Sequence, residues 1–134
     1  MSTFLDSSVL IPLGVGRHPN HAAVVAWYGQ QAGVLTSAHA LAETFNVWTG
    51  RYGVPPDDAA RTLRQWSVVL TVVALSTADY LDALDEAARL GVTGATVYDG
   101  LHARAATLGD ARTIATYNVR HYARLWPTAA LVTP

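Results

Sequence analysis

Four polar residues with side-chain oxygens are spread along the chain, and each lies in or beside a short apolar segment. They are Asp6, Glu43, Asp99 and Asn118. Mg²⁺ and Mn²⁺ prefer oxygen ligands and keep several waters, so carboxylates and an amide suit such a cation. Most of the other acidic residues fall in two clusters that have the character of exposed surface. The four residues are therefore the predicted metal ligands and the predicted catalytic residues.

The chemistry of the predicted site follows from these ligands. Gathered carboxylates repel one another, and a divalent cation removes that cost. A site with one cation, or with two about 3.5–4 Å apart, activates a bound water and neutralises charge on a phosphoryl group. Such a site favours hydrolysis of a phosphodiester bond.

Short strands that alternate with helices must bring the four residues together. The predicted strands cover residues 3–6, 34–36, 68–75, 113–116 and 131–132. The predicted helices cover residues 9–13, 21–31, 38–52, 57–66, 79–90, 97–108 and 119–125. The β-branched strand 68–75 is predicted to be central and the last strand to lie at an edge. This alternation predicts a three-layer α/β/α sandwich with a central, mainly parallel sheet.

In an open parallel sheet, ligands bind beyond the carboxyl ends of the strands. Asp6 ends the first predicted strand and Asn118 closely follows the fourth, so both face the same edge of the sheet. Asp99 lies in the first turn of its helix, near that edge. Glu43 lies about two turns into its helix, so its longer side chain must reach inward. For Asn118, a role as a turn residue and a role in the site fit the sequence equally well.

Length and composition limit the possible functions. The 134 residues are predicted to form one domain over residues 1–134, and the net charge of −1 predicts no general attraction to nucleic acid. All nine basic residues are Arg, which excludes a Walker-A phosphate loop and Schiff-base chemistry, since both need Lys. There is no cysteine for disulfides or thiolate metal sites. Neither a signal-peptide pattern nor a membrane-spanning apolar run is visible, which favours a cytoplasmic protein.

Four segments resemble the signature segments of PIN-domain nucleases, in the same order and at ordinary spacing. The segments are LDSSVL, LAETFN, VYDGLHARAA and ATYNVRHY. The resemblance is strongest to the single-domain VapC-type toxins of toxin–antitoxin pairs. It implies an endoribonuclease that depends on Mg²⁺ or Mn²⁺, built on a five-stranded parallel sheet. It also implies a homodimer and a cognate antitoxin that blocks the site.

The resemblance also implies a role for each site residue. By position, Asp6 and Asp99 would be direct metal ligands, and Glu43 would act directly or through water. Asn118 would take the fourth position, where many relatives carry Asp. His121 stands where some relatives carry another acid, so the site loses negative charge. We therefore expect one metal ion at rest, with a second brought by the substrate phosphate.

Two other functions that use acidic pockets on parallel sheets do not fit the sequence. A phosphoacceptor receiver domain needs a Lys, and a haloacid-type phosphatase needs a second Asp where this chain has Ser8. Two alternatives within the family stay open. One is an RNA-processing PIN nuclease that is not a toxin, and the other is a catalytically weak PIN module that binds RNA or protein.

The remaining polar and aromatic residues have simpler interpretations. His39 and His102 share helices with Glu43 and Asp99, and we interpret them as supporting or packing residues. The acidic residues between positions 79 and 86 are predicted to form a solvated helix face. Leu81, Leu84 and Ala88 are predicted to point inward from the same helix. The four Trp side chains are interpreted as core residues by default, and contact with RNA bases or an antitoxin is the alternative for Trp48 and for Tyr52.

Overall fold

The computed structural model describes residues 2–134, within which five strands alternate with seven helices. The strands are β1 (Thr3–Leu5), β2 (Val34–Ser37), β3 (Thr71–Val73), β4 (Thr113–Ala115) and β5 (Ala130–Val132). The helices are α1 (Ser7–Gly14), α2 (His21–Tyr28), α3 (Ala38–Gly50), α4 (Pro56–Val69), α5 (Thr77–Leu90), α6 (Thr96–Leu108) and α7 (Val119–Leu125). Within this described range, no helix has the length and apolar character needed to cross a membrane.

The strands form one sheet in the order β3-β2-β1-β4-β5, and every neighbouring pair is parallel. Successive residues of β1 point to opposite faces of the sheet, as the strand geometry requires. Phe4 packs in a core cluster with Ala105 of α6 and Ile114 of β4. Leu5 packs in a second cluster with Leu10 of α1 and other residues of α2 and α3. Helices therefore cover both faces, and the predicted α/β/α sandwich is confirmed.

Side-chain caps start three of the helices immediately after strands. The Asp6 carboxylate caps α1 by accepting a hydrogen bond from the Ser8 amide. The Ser37 hydroxyl caps α3 in the same way, because it accepts a hydrogen bond from the Ala40 backbone amide. Ser76 and Asp79 cap each other's backbone at the start of α5, which is the capping-box arrangement. Because caps fix where a helix begins, they also fix the direction in which its first turn leaves the sheet.

Trp48 lies in a third core cluster beneath α1 and α4, with 2 % of its surface exposed. Its indole N–H donates to the carbonyl of Ile11 at 3.1 Å. A Cβ at position 14 would lie 2.2 Å from the Trp48 ring, so only the glycine found there permits this contact. Trp48 is therefore a core residue, as its default interpretation predicted, and the alternative contact with RNA or an antitoxin does not hold.

Two predictions about secondary structure are also wrong. Helix α4 continues to Val69, so residues 68–70 are not strand, and Val68 and Val69 are 84 % and 72 % exposed. The shorter strand β3 lies at the edge of the sheet rather than at its centre. A run of β-branched residues indicates strand propensity only weakly, and tertiary context outweighed it here. On α5, Leu81 and Leu84 are exposed, and the buried residues are instead the small Ala83 and Ala87.

Candidate active site

Asp6 is fully buried at the carboxyl end of β1, where its carboxylate is surrounded by donors. One oxygen accepts from the amide and the hydroxyl of Ser8, at 3.0 and 2.5 Å. The other accepts from the hydroxyls of Thr116 and Tyr122, at 2.6 and 3.1 Å. Burial raises the pKa of Asp6 despite the opposing effects of the nearby His102 and of the Ser8 and Thr116 hydroxyls. The site therefore holds this carboxyl in one orientation while making its charge costly.

Glu43 reaches inward from α3 between two imidazole rings. Its Oε1 lies 2.7 Å from Nε2 of His102 and 3.3 Å from Nε2 of His39. All three atoms are buried. The second carboxylate oxygen accepts from the Ser7 hydroxyl at 3.4 Å. Burial raises the pKa of Glu43, but the contacts with His102 and His39 outweigh it and lower the pKa from 4.5 to about 2.

Asp99 lies in the first turn of α6 and is buried. Its carboxylate contacts Nδ1 of His121, which projects from α7. Burial raises the pKa of Asp99, and the contact with His121 only partly opposes this effect. His121, which the sequence marked as the loss of an acid, instead holds one of the acids.

Asn118 directly precedes α7 and is half-buried. Its backbone N–H donates to the Thr116 hydroxyl at 2.9 Å, and that hydroxyl in turn donates to Asp6. The Asn118 side chain does not cap α7. Asn118 is thus linked to Asp6 through the Thr116 hydroxyl. The role of the Asn118 side chain as a metal ligand stays a prediction.

The three carboxylates lie close enough to influence one buried phenol. The pKa of Tyr122 is raised well above its usual value, first by burial and then by the charges of Asp6, Asp99 and Glu43. The carboxylates also influence each other, since Asp99 raises the pKa of Asp6 and Glu43 raises that of Asp99. The structure therefore brings the three acids predicted from the sequence to one end of the sheet.

The donor chemistry at this end of the sheet suits a hard divalent cation. The donors are carboxylate oxygens, and the buried Oε1 of Glu43 faces two imidazole nitrogens. Within residues 2–134, however, no three acidic or histidine side chains form a ready-made ligand group. The carboxylates are instead turned toward neighbouring hydroxyls and imidazoles. A cation would replace some of these contacts and remove the repulsion among the acids.

Three residues that the sequence analysis did not single out complete the surroundings of Asp6. They are Ser8, Thr116 and Tyr122. Ser8 was detectable, because Asp often hydrogen-bonds the backbone two residues later. Tyr122 was not detectable, because it comes 116 positions after Asp6 and only the packing of α7 joins them.

Comparison with known proteins identifies the family. Residues 3–125 match the model of the PIN domain. The chain belongs to the PIN-domain family. This PIN domain is 40 % identical over 105 residues to Ribonuclease VapC27 of Mycobacterium tuberculosis (strain ATCC 25618 / H37Rv). The aligned region covers 76 % of this chain and 74 % of the relative. The family suggested by the four sequence segments is thereby confirmed.

Solved structures share the fold of this PIN domain. VapC20 of Mycobacterium tuberculosis, described as a toxin that cleaves the sarcin-ricin loop, superposes with a TM-score of 0.82 at 20 % identity, covering 98 % of this chain and 99 % of that one. FitAcB from Neisseria gonorrhoeae gives 0.71 at 24 % identity, covering 98 % and 97 %. VapBC-1 from nontypeable Haemophilus influenzae gives 0.65 at 18 % identity, covering 99 % and 98 %. At these identities the structures support the fold alone.

Proposed function

We propose that this PIN domain is a metal-dependent endoribonuclease that acts as the toxin of a toxin–antitoxin pair. The observation that carries the proposal is the group of three carboxylates, two of them buried, at the carboxyl end of the parallel sheet, the place where such sheets bind ligands. The relationship to Ribonuclease VapC27 supports ribonuclease chemistry. The family resemblance supports the toxin role, an antitoxin that blocks the site, a homodimer and a cytoplasmic location.

The proposed ligands of Mg²⁺ or Mn²⁺ are Asp6, Asp99, Glu43 and Asn118. When bound, the cation supplies an activated water and neutralises charge on the phosphodiester. Asn118 offers an oxygen without a negative charge, so the site attracts a second cation less strongly than a site with four acids.

The other residues of the site orient these ligands. The hydroxyls of Ser8, Thr116 and Tyr122 hold Asp6, and this arrangement keeps its carboxylate in one rotamer. His121 of α7 holds Asp99 in the same way. Outer contacts of this kind contribute about 10–100-fold to metal affinity or activity in characterised metal sites. We therefore propose that Ser8, Thr116, Tyr122 and His121 are positioning residues.

The proposal is tested by incubating the purified chain with structured RNA in the presence of Mg²⁺, Mn²⁺ or excess EDTA. We expect cleavage with either cation, none with EDTA, and none by Asp99→Ala with either cation. Asp85→Asn is the matched control, because Asp85 is an exposed acid on α5. Cleavage that persists in EDTA would contradict the proposal.

The toxin role needs a separate experiment in a bacterial host. Induced expression of the wild type is expected to arrest growth and to produce RNA fragments, whereas Asp99→Ala is expected to do neither. RNA cleavage in vitro without growth arrest would instead favour an RNA-processing nuclease.

A further inference from the structure

A surface pocket of about 230 Å³ lies beside the acidic site, between the α1–α2 connection and the end of α3. Its wall includes Ser8 and Tyr117, and its far side is formed by His18, Arg51 and Tyr52. The Ser8 hydroxyl contacts Asp6 at 2.5 Å and accepts from the Tyr117 amide at 2.9 Å. The pocket therefore begins one residue away from a buried carboxylate of the proposed site.

The far side of the pocket is positively charged and aromatic. The guanidinium carbons of Arg17 and Arg51 lie 5.5 and 5.7 Å from the centre of the Tyr52 ring, and the His18 ring lies 5.9 Å from it. Arg17 also donates to the Tyr52 carbonyl, which fixes the arginine over the ring. Burial and the charge of Arg51 lower the pKa of His18, as expected in positive surroundings.

No carboxylate neutralises this charge within the described chain. Over residues 2–134, neither Arg17 nor Arg51 forms an ion pair, and no acidic side chain lines the pocket. The pocket between α5 and α6 differs, because Arg104 meets Asp82 there and Glu86 also lines the wall. Unpaired arginines beside aromatic rings are the groups that bind phosphates and unstacked bases.

We propose that this pocket binds an unpaired nucleotide of the RNA substrate, next to the phosphodiester that is cleaved. The base packs against the aromatic and guanidinium surfaces around Tyr52, and the adjoining phosphate contacts Arg51. This inference rests on the proposed ribonuclease function and extends it to substrate selection. It also explains how a chain with a net charge of −1 holds an anionic substrate beside three acids.

The test compares cleavage of a short single-stranded RNA by wild type, Arg51→Ala, Arg51→Lys, Tyr52→Ala and Tyr52→Phe. Tyr52→Ala removes the ring on which the base is proposed to stack, so its kcat/KM is expected to fall about tenfold, mainly through a higher KM. Tyr52→Phe keeps the ring and is expected to retain activity. Arg51→Ala is expected to raise KM and to reduce the slope of log affinity against log salt by about one, with Arg51→Lys retaining that slope. The matched control is Arg64→Ala, an exposed arginine of α4 that lies outside the pocket.

A second arm tests whether the pocket holds a base. Abasic nucleotides are placed one at a time along the RNA, and one position beside the cut is expected to lower wild-type kcat/KM about tenfold. The same abasic position is expected to have less than about a twofold effect on Tyr52→Ala, because the platform is already lost. Since Tyr52 also packs against the third core cluster, the exposed Arg51→Ala keeps the test decisive if Tyr52→Ala fails to fold.

RNA binding in EDTA separates this inference from the nuclease proposal. If Arg51→Ala binds RNA more weakly than wild type while Arg64→Ala does not, and the wild type cleaves no RNA, the pocket is supported as an RNA site and the nuclease proposal is contradicted. Cleavage by the wild type with unchanged KM and salt slope in Arg51→Ala and Tyr52→Ala would overturn the pocket as an RNA site and indicate a protein ligand instead.

Discussion

Acidic residues gather in two regions of this PIN domain, and their surroundings are opposite. At the carboxyl end of the sheet, Asp6 and Asp99 are buried, and burial raises the pKa of both carboxyls. On α5, Ser76 and then Arg104 lower the pKa of Asp79, and Arg89 lowers that of Glu86. The same side chain therefore becomes costly to ionise in one region and easy to ionise in the other.

The difference teaches that carboxylate density alone does not make a site. On α5, Asp82 and Glu86 face water, which screens their charge, whereas Asp79 is partly buried. Arginines from α5 and α6 pair with all three carboxylates. The carboxylates at the sheet end have hydroxyls and imidazoles as partners, and the low-dielectric surroundings strengthen every charge interaction. Glu43 lies between the two cases, because it is partly buried yet its histidine contacts lower its pKa.

The largest expected effect comes from exchanging a buried acid for its amide. Asp6→Asn is expected to lower metal-dependent cleavage by more than about 100-fold, since a proposed ligand exceeds an outer contact in importance. Because the folded-state pKa of Asp6 is raised, its ionisation destabilises the fold as pH rises through that pKa. The variant is thus expected to melt at a higher temperature than wild type at about pH 7 without metal. Cleavage assays and thermal melts check both effects, with Asp85→Asn as the matched exposed exchange; full activity of Asp6→Asn would contradict its role.

The next effect concerns the hydroxyls that hold Asp6. Thr116→Val keeps the side-chain shape but removes the donor at 2.6 Å, so we expect about tenfold less cleavage. The loss of one buried hydrogen bond is expected to cost roughly 1–2 kcal/mol of folding free energy. Steady-state cleavage and urea unfolding measure the two effects. Thr107→Val is the control, because the Thr107 hydroxyl donates to a backbone carbonyl of α6. Equal activity losses in both variants would show a general packing effect.

Unfolding at acidic pH tests whether the lowered pKa of Glu43 contributes to the stability of the fold. Its folded-state pKa of about 2 lies below the usual 4.5, so its contribution is complete above 4.5 and is lost as pH falls toward 2. Between about pH 5 and 3 the wild type is expected to lose roughly 1–2 kcal/mol more stability than Glu43→Gln, after allowance for solvent screening. Urea unfolding at both pH values measures the difference. A similar effect from Glu86→Gln would remove the distinction between the two regions.

The smallest effect is expected on α5. Arg104→Ala removes the ion pairs with Asp79 and Asp82, and cleavage is expected to stay within about twofold of wild type. Any change in melting temperature is expected to be small and to shrink further in about 0.5 M salt, because Arg104 and Asp82 are exposed to solvent. Melting curves at low and high salt check this result. A large loss of cleavage would show that α5 takes part in the site.

The predictability of the fold differed from element to element. The caps at Ser37 and Ser76 and most helix boundaries followed from local hydrogen-bond chemistry, which a sequence displays directly. The strand predicted at 68–75 failed, because edge or centre position depends on which strands pair, and pairing is not local. The inward face of α5 failed for a related reason, since close packing on α6 favours Ala83 and Ala87 over larger leucines.

The sequence by itself indicated the type of chemistry, because Asp6 ends a strand and both Glu43 and Asp99 lie in helices that leave the same edge of a parallel sheet. It also determined the family, through four short segments in a fixed order. Only the tertiary structure decided what each acid touches, because Tyr122 and His102 reach Asp6 and Glu43 across long stretches of chain. The pKa directions of these acids depend on burial and on such distant partners, and neither is encoded in local spacing.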